Sequence, residues 1–427
     1  MTALPLSNRT AQTAGVVVGD LALVVAVGVA AYALSCWLVP PAAVPLSFGE
    51  QWQRMSIDPT ALFGQFPHRI LAPLLAWLCG LGGAHYLDFM AGVHVALLAS
   101  AFFVCRHRGG AVVDGVLVAL ALAVTAPTQM YKEHWVGYAD PLCYTLFLWS
   151  MVATRRPVVF WLLFLANLFN HELAGFLLPW LWFLRRRADA RRRLDLLCIA
   201  GVLAAYATFY LFVKSRMQQT YSVDYFLEHP LFPGGTLAVV LLAAVHCVVT
   251  YGPVLAVLAW HQHLRGVGTE RWHLWLVVLG ILAIFGIAFD WQRHSNLIVL
   301  PLVVAATTVL RGGWRSRAIF AGLILLSAAL FAVPTWRPWT ASAWPTSAMS
   351  NFTLLVDTKV VLILRPDPID FGFGPLSATL QNWLPAVWPW LWPVLAICVV
   401  IWVAGCLLAR WLDVERAPAP APASIPA

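Results

Sequence analysis

Long apolar runs, broken only by short polar segments, constrain this chain more than any other feature of its sequence. Of its 427 residues, 61% are hydrophobic and 11% are charged, whereas a soluble domain carries about 25% charged residues. Hydrocarbon cannot hydrogen-bond a backbone, so membrane-spanning segments must be helices or closed barrels, and runs of roughly 17–25 residues have helical length. The sequence therefore predicts an all-α, polytopic integral membrane protein.

The basic residues predict the topology of these helices. The net charge is +8, but the arginines occur in short clusters between apolar runs, as the positive-inside rule describes for cytoplasmic turns, and they form no nucleic-acid-binding face. An outward and a return pass separate each cluster from the next, which predicts about 12 transmembrane helices with both termini cytoplasmic and no nucleic-acid partner. The clusters are Arg106 and Arg108, Arg155 and Arg156, Arg185–Arg187 with Arg191–Arg193, Arg265 and Arg271, and Arg311, Arg315 and Arg317.

The domain organisation follows from the same pattern. A cytoplasmic N-terminus (1–13) precedes a single transmembrane domain (14–413), and a disordered cytoplasmic Ala/Pro tail follows (414–427). The first apolar run, about Ala14 to Val39, is too long for a cleavable signal and is predicted to be the first helix. Outer loops are predicted at 40–85, 128–140, 214–235 and 334–386. The cysteines lie in or beside apolar runs without a CxxC, which indicates neither a disulfide framework nor a zinc site.

One apolar run does not fit this alternation of outward and return passes. The segment Ile70–Leu81 has about 12 residues and runs into the glycine-rich stretch Gly80–Gly83. At 1.5 Å per residue it cannot cross a 30 Å hydrocarbon core. We therefore predict a short re-entrant or interfacial helix. The alternative is an outside N-terminus with two full crossings, which would place the Glu50–Arg69 loop in the cytoplasm.

A second short segment is a hairpin. Only residues 157–184 separate the basic pair Arg155–Arg156 from Arg185, and they must run outward and return. Two helices of about 13 residues reach only about 20 Å each, so the turn at His171 and Glu172 is predicted to lie below the outer membrane surface. An ionisable residue in that position is either a functional group or a structural polar contact between helices.

Four polar segments fall at the predicted outer ends of helices. All four place a histidine beside an acid or a base, which is more than solvation of a loop requires. The segments are Glu50–Arg54 with Asp58, His68 and Arg69; Tyr131–Pro141, with Lys132, Glu133, His134 and Asp140; Asn170–Glu172; and Asp290–Asn296, with Arg293 and His294.

Acids and bases gathered at a membrane surface suit a phosphate-bearing lipid. Carboxylates can act as a general base or coordinate Mg²⁺ or Mn²⁺, and Arg and Lys neutralise phosphate. A proton or ion pathway would contain the same residues. The sequence has no GxSxG, HExxH, Walker A or Rossmann glycine pattern, which argues against several hydrolase and nucleotide-binding classes.

The organisation resembles the C-type glycosyltransferase (GT-C) superfamily of membrane enzymes. The segments that carry the resemblance are Gln65–Pro73, Gly137–Pro141, Asn170–Glu172, and Asp290 with Arg293. The resemblance implies transfer of a sugar from a polyprenyl-phosphate donor to a lipid, glycan or protein acceptor, at the extracytoplasmic face of a bacterial cytoplasmic (inner) membrane. The chain departs from the superfamily in lacking an Asp-Asp or Glu-Asp pair in its first outer loop.

The resemblance also implies roles for individual residues. Asp58, or Glu50 as its rival, would be the catalytic base. Arg69, Lys132 and Arg293 would hold the donor phosphate. The remaining substrate-binding candidates are His68, Glu133 and Asp290, together with four residues that would shape the sugar pocket or hold a divalent metal such as Mg²⁺ or Mn²⁺: His134, Asp140, His171 and Glu172.

Two other classes of function stay open at this level. A transporter or lipid flippase would use His171, Glu172, Asp290 and His294 as proton-linked groups in a polar cavity, with interrupted helices in two similar halves as its signature. A noncatalytic membrane assembly subunit would use the polar tips to contact partner proteins.

Overall fold

The computed structural model describes residues 6–45, 48–62, 64, 66–133, 135–188, 192–216, 251–264, 266–285, 291–332, 334–336, 345–347, 396 and 399–411. Within these ranges the regular secondary structure is helical, apart from two three-residue antiparallel strands, β1 (Pro334–Trp336) and β2 (Pro345–Ser347). Residues 217–235 of the predicted outer loop 214–235, the C-terminal tail, His134 and Asp290 lie outside the described residues, and residues 214–216 of that loop belong to a helix.

The α-helices are numbered in chain order. They are α1 (Leu6–Leu38), α2 (Phe48–Met55), α3 (Leu71–Leu78), α4 (Tyr86–His107), α5 (Val112–Ala123), α6 (Ala126–Glu133), α7 (Asp140–Val152), α8 (Pro157–Asn170), α9 (Leu178–Ala188), α10 (Arg192–Arg216), α11 (Ala256–His263), α12 (Trp272–Phe285), α13 (Trp291–Ser295), α14 (Val299–Leu310), α15 (Trp314–Ala332) and α16 (Val399–Trp411). Short 3-10 helices connect several of them, at Pro59–Ala61, Gly83–His85, Ala153–Arg155, Glu172–Leu177, Gly252–Leu255, Gly268–Arg271 and Asn296–Ile298.

Five helical segments of the described chain are long and apolar enough to cross a membrane. They are Asp20–Leu38, Gly83–His107, Val112–Glu133, Arg192–Arg216 and Arg293–Leu310. Most side chains of α10 are exposed although the helix is apolar, and an apolar surface of that length is stable only against lipid or another apolar partner. These are the features of a helical integral membrane protein, as the composition predicted.

The described basic turns meet at one end of the helix bundle. Arg108 Nη2 donates to Glu270 Oε1 at 2.8 Å, and Glu270 Oε2 accepts a hydrogen bond from the Thr308 hydroxyl at 3.1 Å. The guanidinium of Arg311 occupies the space beside Gly109, and Arg185 donates to the Thr154 carbonyl and to the buried carboxylate of Asp195. We call this the basic end.

Glu270 illustrates how this end is stabilised. Its contact with His261, whose Nε2 lies 3.9 Å from Glu270 Oε2, is the largest cause of a pKa lowered to about 2, and the positive charge of Arg108 and the Thr308 hydroxyl contribute. The carboxylate is therefore charged at any physiological pH. Its ion pairs join the turn after α4 to the turn between α11 and α12, so they fix the ends of helices that are far apart in the sequence.

The opposite end, which we call the polar end, collects the acidic and histidine-rich turns. Both flanks of α3 lie there: Gly83 N donates to Ser56 Oγ at 2.9 Å and Gln53 Nε2 donates to the Gly83 carbonyl at 3.0 Å, while Arg69 pairs with Glu172. The eight residues of α3 would extend about 12 Å. This helix therefore enters and leaves on the same side of the bundle.

Glycines allow the segments at the polar end to approach closely. A Cβ on Gly49 would lie 2.0 Å from the Val136 carbonyl oxygen, and one on Gly82 would lie 2.1 Å from the Ser56 carbonyl oxygen. Tyr86 OH donates to the Gly137 carbonyl at 3.0 Å. These contacts place α2 against the turn that leads into α7, which carries part of the candidate site.

Candidate functional site

A carboxylate at the recessed hairpin is the first centre of the site. Glu172 Oε2 accepts a hydrogen bond from Arg69 Nε at 2.8 Å, and Glu172 Oε1 accepts one from Arg69 Nη2. His68 Nε2 lies 3.1 Å from Glu172 Oε2. The side chains of His68 and Arg69 are almost fully buried, and that of Glu172 is 20% exposed. The arginine therefore makes a two-pronged ion pair across 103 residues of sequence.

The local backbone explains how the hairpin presents these groups. Helix α8 ends at Asn170, and His171 adopts an extended conformation with φ −160° and ψ 116°. The chain then continues as the 3-10 helix Glu172–Leu177, which leads into α9. This break turns His171 and Glu172 toward different neighbours, although they are adjacent in sequence.

Arg293 is the second centre. Its Nη2 lies 2.8 Å from His171 Nε2, and its Nε lies 3.1 Å from Asp140 Oδ1. All three side chains are at least 95% buried. Asp140 begins α7 with proline at the next position, a common arrangement for a helix start, and its carboxylate lies where the helix dipole favours negative charge.

Aromatic side chains surround Arg293. Its guanidinium carbon lies 5.0 Å from the ring centre of Tyr138 and 5.8 Å from that of Trp135, distances at which cation–π attraction operates. The Tyr144 hydroxyl donates to the backbone carbonyl of Arg293 at 2.9 Å and lies 2.8 Å from the Tyr131 hydroxyl. The backbone at Arg293 is thus fixed by α7, while the charged head contacts two aromatic faces.

The charges of the site balance. Two carboxylates, Asp140 and Glu172, face two arginines, Arg69 and Arg293, with His68, His171 and His294 among them. Burying an ion costs several kcal/mol even after relaxation, and an ion pair often stabilises a fold no better than apolar residues of similar volume. The ion pairs of this cluster are therefore weak evidence for a purely stabilising role.

Both ring nitrogens of His171 face hydrogen-bond donors. Arg293 approaches Nε2 at 2.8 Å, and the Leu173 amide nitrogen lies 3.3 Å from Nδ1. Neutral imidazole accepts at only one nitrogen, and a guanidinium can only donate. We assign Nε2 as the acceptor because its contact is shorter and comes from a charged donor; the ring proton is then on Nδ1, which lies 3.8 Å from Glu172 Oε2, beyond hydrogen-bond distance.

The first-loop acids lie apart from this cluster. Glu50 is exposed on α2, an amphipathic helix whose Trp52 and Met55 are buried. Asp58 is also exposed, and its Oδ1 accepts hydrogen bonds from the side chain and amide of Thr60, at 2.6 and 3.0 Å. These bonds lower the pKa of Asp58, which makes it a weaker base, and they engage the carboxylate locally.

Lys132, predicted to hold a phosphate, has a different position. Its Nζ is buried and donates to the carbonyls of Ser35 and Val39 at 2.6 and 2.8 Å. These carbonyls lie at the C-terminal end of α1, where positive charge is favoured; the Ser35 carbonyl also accepts from the Val39 amide at 3.1 Å. Lys132 is thus a C-terminal cap for α1, and it makes no contact with the arginine and carboxylate cluster among its described bonds. Glu133, next to it, is buried as well.

The fold brings to the cluster three buried groups that had no role in the glycosyltransferase interpretation of the sequence, namely His294, which only the transporter interpretation used, and the side chains of Asn167 and Asn170. The His294 ring packs edge-on against His171, with ring centres 5.6 Å apart. Asp140, His171 and His294 each offer a ligand atom within 4.8 Å of the others, which makes them a set able to hold a metal ion. The amide oxygens of Asn167 and Asn170 are buried without a hydrogen-bond partner in the described part of the chain. His294 could have been found from its position beside Arg293; the two asparagines could not, because their packing against α7 is a tertiary contact.

No family model, curated protein or solved structure matches this chain.

Proposed function

We propose that this protein is a membrane glycosyltransferase of GT-C type, with about 12 transmembrane passes, that uses a polyprenyl-phosphate-linked sugar at the extracytoplasmic face. The supporting observation is the convergence of Arg69, Asp140, His171, Glu172 and Arg293 at one end of the bundle, opposite the basic end. Under the positive-inside rule the basic end is cytoplasmic, so the cluster faces the other side of a bacterial inner membrane.

Arg69 and Arg293 are the phosphate-binding groups of this proposal. Guanidinium groups match the oxygens of a phosphate in a planar, two-pronged arrangement that lysine cannot reproduce. Each arginine is paired with a carboxylate, Arg69 with Glu172 and Arg293 with Asp140. A phosphate would replace these carboxylates as the arginines' partner.

The proposed reaction is a displacement at the anomeric carbon of the donor sugar. A carboxylate takes the proton from the acceptor hydroxyl, whose oxygen forms the new bond to that carbon. The bond from the carbon to the phosphate oxygen breaks, and polyprenyl phosphate leaves with the electron pair. Asp58 and Glu50 are the first-loop candidates for this base, and Asp140 is the alternative within the cluster.

The test is turnover of defined donors by the purified protein in detergent or liposomes. Polyprenyl-phosphate sugars are supplied as a panel with a membrane-lipid extract as acceptor, and mass spectrometry measures the polyprenyl phosphate released. We expect Arg69→Lys and Arg293→Lys to reduce turnover strongly, and Arg108→Lys at the basic end to retain it. Absence of both turnover and donor binding across the panel would refute the proposal.

The base is tested separately with Asp58→Asn, Glu50→Gln and Asp140→Asn. If the first-loop variants both keep full activity and Asp140→Asn abolishes turnover while retaining donor binding, the base lies in the cluster. If all three keep full activity, the carboxylate mechanism is wrong.

Side-specific labelling distinguishes the enzyme from a transporter. A cysteine at Leu173, beside Glu172, is introduced into a variant whose eight native cysteines are replaced. A membrane-impermeant thiol reagent should reach it only from the extracytoplasmic side. Labelling from both sides would instead support alternating access and the transport function.

A further inference from the structure

We infer that Asp140, His171 and His294 form a binding site for a zinc-class divalent transition-metal ion. One ligand atom from each residue lies within 4.8 Å of the others, and all three residues are buried. Metal-ligand distances of about 2.0–2.2 Å would require these side chains to move closer together. The residues come from the start of α7, the recessed hairpin and α13, which are separate parts of the chain.

His171 has the surroundings of a metal-bound histidine. Its Nε2 is the nitrogen that accepts from Arg293, so its lone pair points at a cation. The proton on Nδ1 then faces Glu172 Oε2 at 3.8 Å. A carboxylate hydrogen-bonded to the non-ligating nitrogen usually fixes the tautomer of a metal-binding histidine; Glu172, held by Arg69 and His68, would take this role on moving within hydrogen-bond distance of Nδ1.

His294 supplies an independent observation. It is 4% exposed, and its Nε2 has no hydrogen-bond partner among the described residues. Buried polar atoms are paired in the great majority of cases, and an exception calls for an explanation such as a bound ion. Its ring packs against His171, so a ligand bound by one histidine is within reach of the other.

The donor set selects the kind of ion. Two imidazoles and one carboxylate suit zinc and related first-row metals, whereas Mg²⁺ takes oxygen ligands and retains water. The site therefore differs from the Mg²⁺ or Mn²⁺ site that the carboxylates alone suggested. Three protein ligands also leave at least one coordination position open, as in catalytic rather than structural zinc sites.

Arg293 occupies the place of the cation in the described structure. A metal must displace its guanidinium from His171 and Asp140, and the faces of Tyr138 and Trp135 offer it an alternative position. The charges of the two arginines and the two carboxylates already sum to zero, so a bound divalent ion leaves the site with a net charge of +2. An anion must offset that charge in a buried site. The metal and a phosphate group should therefore bind together and strengthen each other.

The experiment measures zinc bound to the full-length protein in detergent, with the affinity tag removed because polyhistidine binds zinc. Equilibrium dialysis with elemental analysis gives the stoichiometry, with and without inorganic phosphate. We expect one zinc per chain, bound more tightly with phosphate present. Co²⁺ in place of zinc should give a visible absorption spectrum characteristic of nitrogen and oxygen ligands.

The variants His171→Gln and His294→Gln should each lose this ion, and Glu172→Gln should weaken binding by roughly 10- to 100-fold as a positioning residue. His94→Gln is the matched control, because His94 is also buried but hydrogen-bonds the Met90 carbonyl away from the cluster. Size-exclusion profiles and thermal unfolding establish that each variant is folded.

Two results would overturn the inference. One is the absence of stoichiometric zinc in the wild-type protein when phosphate is present. The other is unchanged zinc binding in folded His171→Gln and His294→Gln. Equal zinc affinity with and without phosphate would refute the linkage between the two ligands. None of these readouts depends on sugar transfer, so failure of the metal site and failure of the glycosyltransferase proposal are distinguishable.

Discussion

Removal of the carboxylate of Glu172 should destabilise the fold because it leaves the buried charge of Arg69 without a partner of opposite charge. In Glu172→Gln the Arg69 guanidinium, which is 5% exposed, keeps its charge but loses the negative partner of its two hydrogen bonds. Removing one member of a buried ion pair costs about 3–5 kcal/mol. Because the Glu172 side chain is 20% exposed, water can compensate in part, and we expect a loss of about 3 kcal/mol in the free energy of unfolding.

A double-mutant cycle separates this pair from the other effects of substitution. Arg69→Met removes the charge and keeps much of the side-chain volume, and the double variant Arg69→Met/Glu172→Gln has no unpaired ion. Its stability should recover, so that the coupling free energy between the two positions is about 2 kcal/mol or more. Recovery by a second substitution is a result that simple loss of packing does not give.

The pair Arg108–Glu270 at the basic end is the comparison. Its side chains are 22% and 24% exposed, and its N···O distance is 2.8 Å. Pairs in contact with water contribute only about 0.2–1 kcal/mol. The two cycles are measured by reversible unfolding in mixed micelles. A coupling at Arg69–Glu172 no larger than that at Arg108–Glu270 would refute the argument that burial makes the difference.

Three further outcomes follow from individual contacts. Lys132→Met should destabilise the protein by about 1–3 kcal/mol, because two buried carbonyls at the end of α1 lose a charged donor; an unfolding free energy equal to that of the wild type would contradict the capping role. The pKa of Glu270 is lowered to about 2 from an ordinary value of 4.5, so its carboxylate stabilises the fold at every pH above about 4.5, and this contribution is lost as the pH falls from there through about 2. Glu270→Gln should therefore flatten that part of an acid-unfolding curve. An unchanged curve would show that Glu270 makes no such contribution. Gly82→Ala places a Cβ 2.1 Å from the Ser56 carbonyl oxygen and should lower the unfolding temperature, whereas Gly92→Ala, which has open space, should not.

The sequence predicted much of the site because charge in an apolar chain is rare and informative. Arg69, Asp140, His171, Glu172 and Arg293 were selected as breaks in apolar runs, and the fold brings them together. Their grouping was an inference from topology: residues at the same ends of successive helices face the same side. That inference needs only the lengths and charges of the segments.

Other assignments could not be made from position alone. Lys132 lies in one of the predicted polar segments, yet its ammonium group caps α1. Asp58 is in the expected loop, yet it is exposed and bonded to Thr60. The direction in which a side chain points depends on which helix end packs beside it, and that information is not contained in the spacing of residues along the chain.

The sequence by itself predicted a helical membrane protein with its basic turns on one side and the polar segments of the candidate site on the other, because hydrocarbon tolerates only helices or closed barrels, the apolar runs have helical length, and arginine clusters mark the turns on one side. Only the tertiary structure decided the pairing: Arg69 with Glu172 across 103 residues, and Arg293 with His171 across 122. The reason is physical. A buried charge must have a partner, but which partner it meets depends on the packing of α3, α7, α8 and α13, and packing is a property of the whole chain.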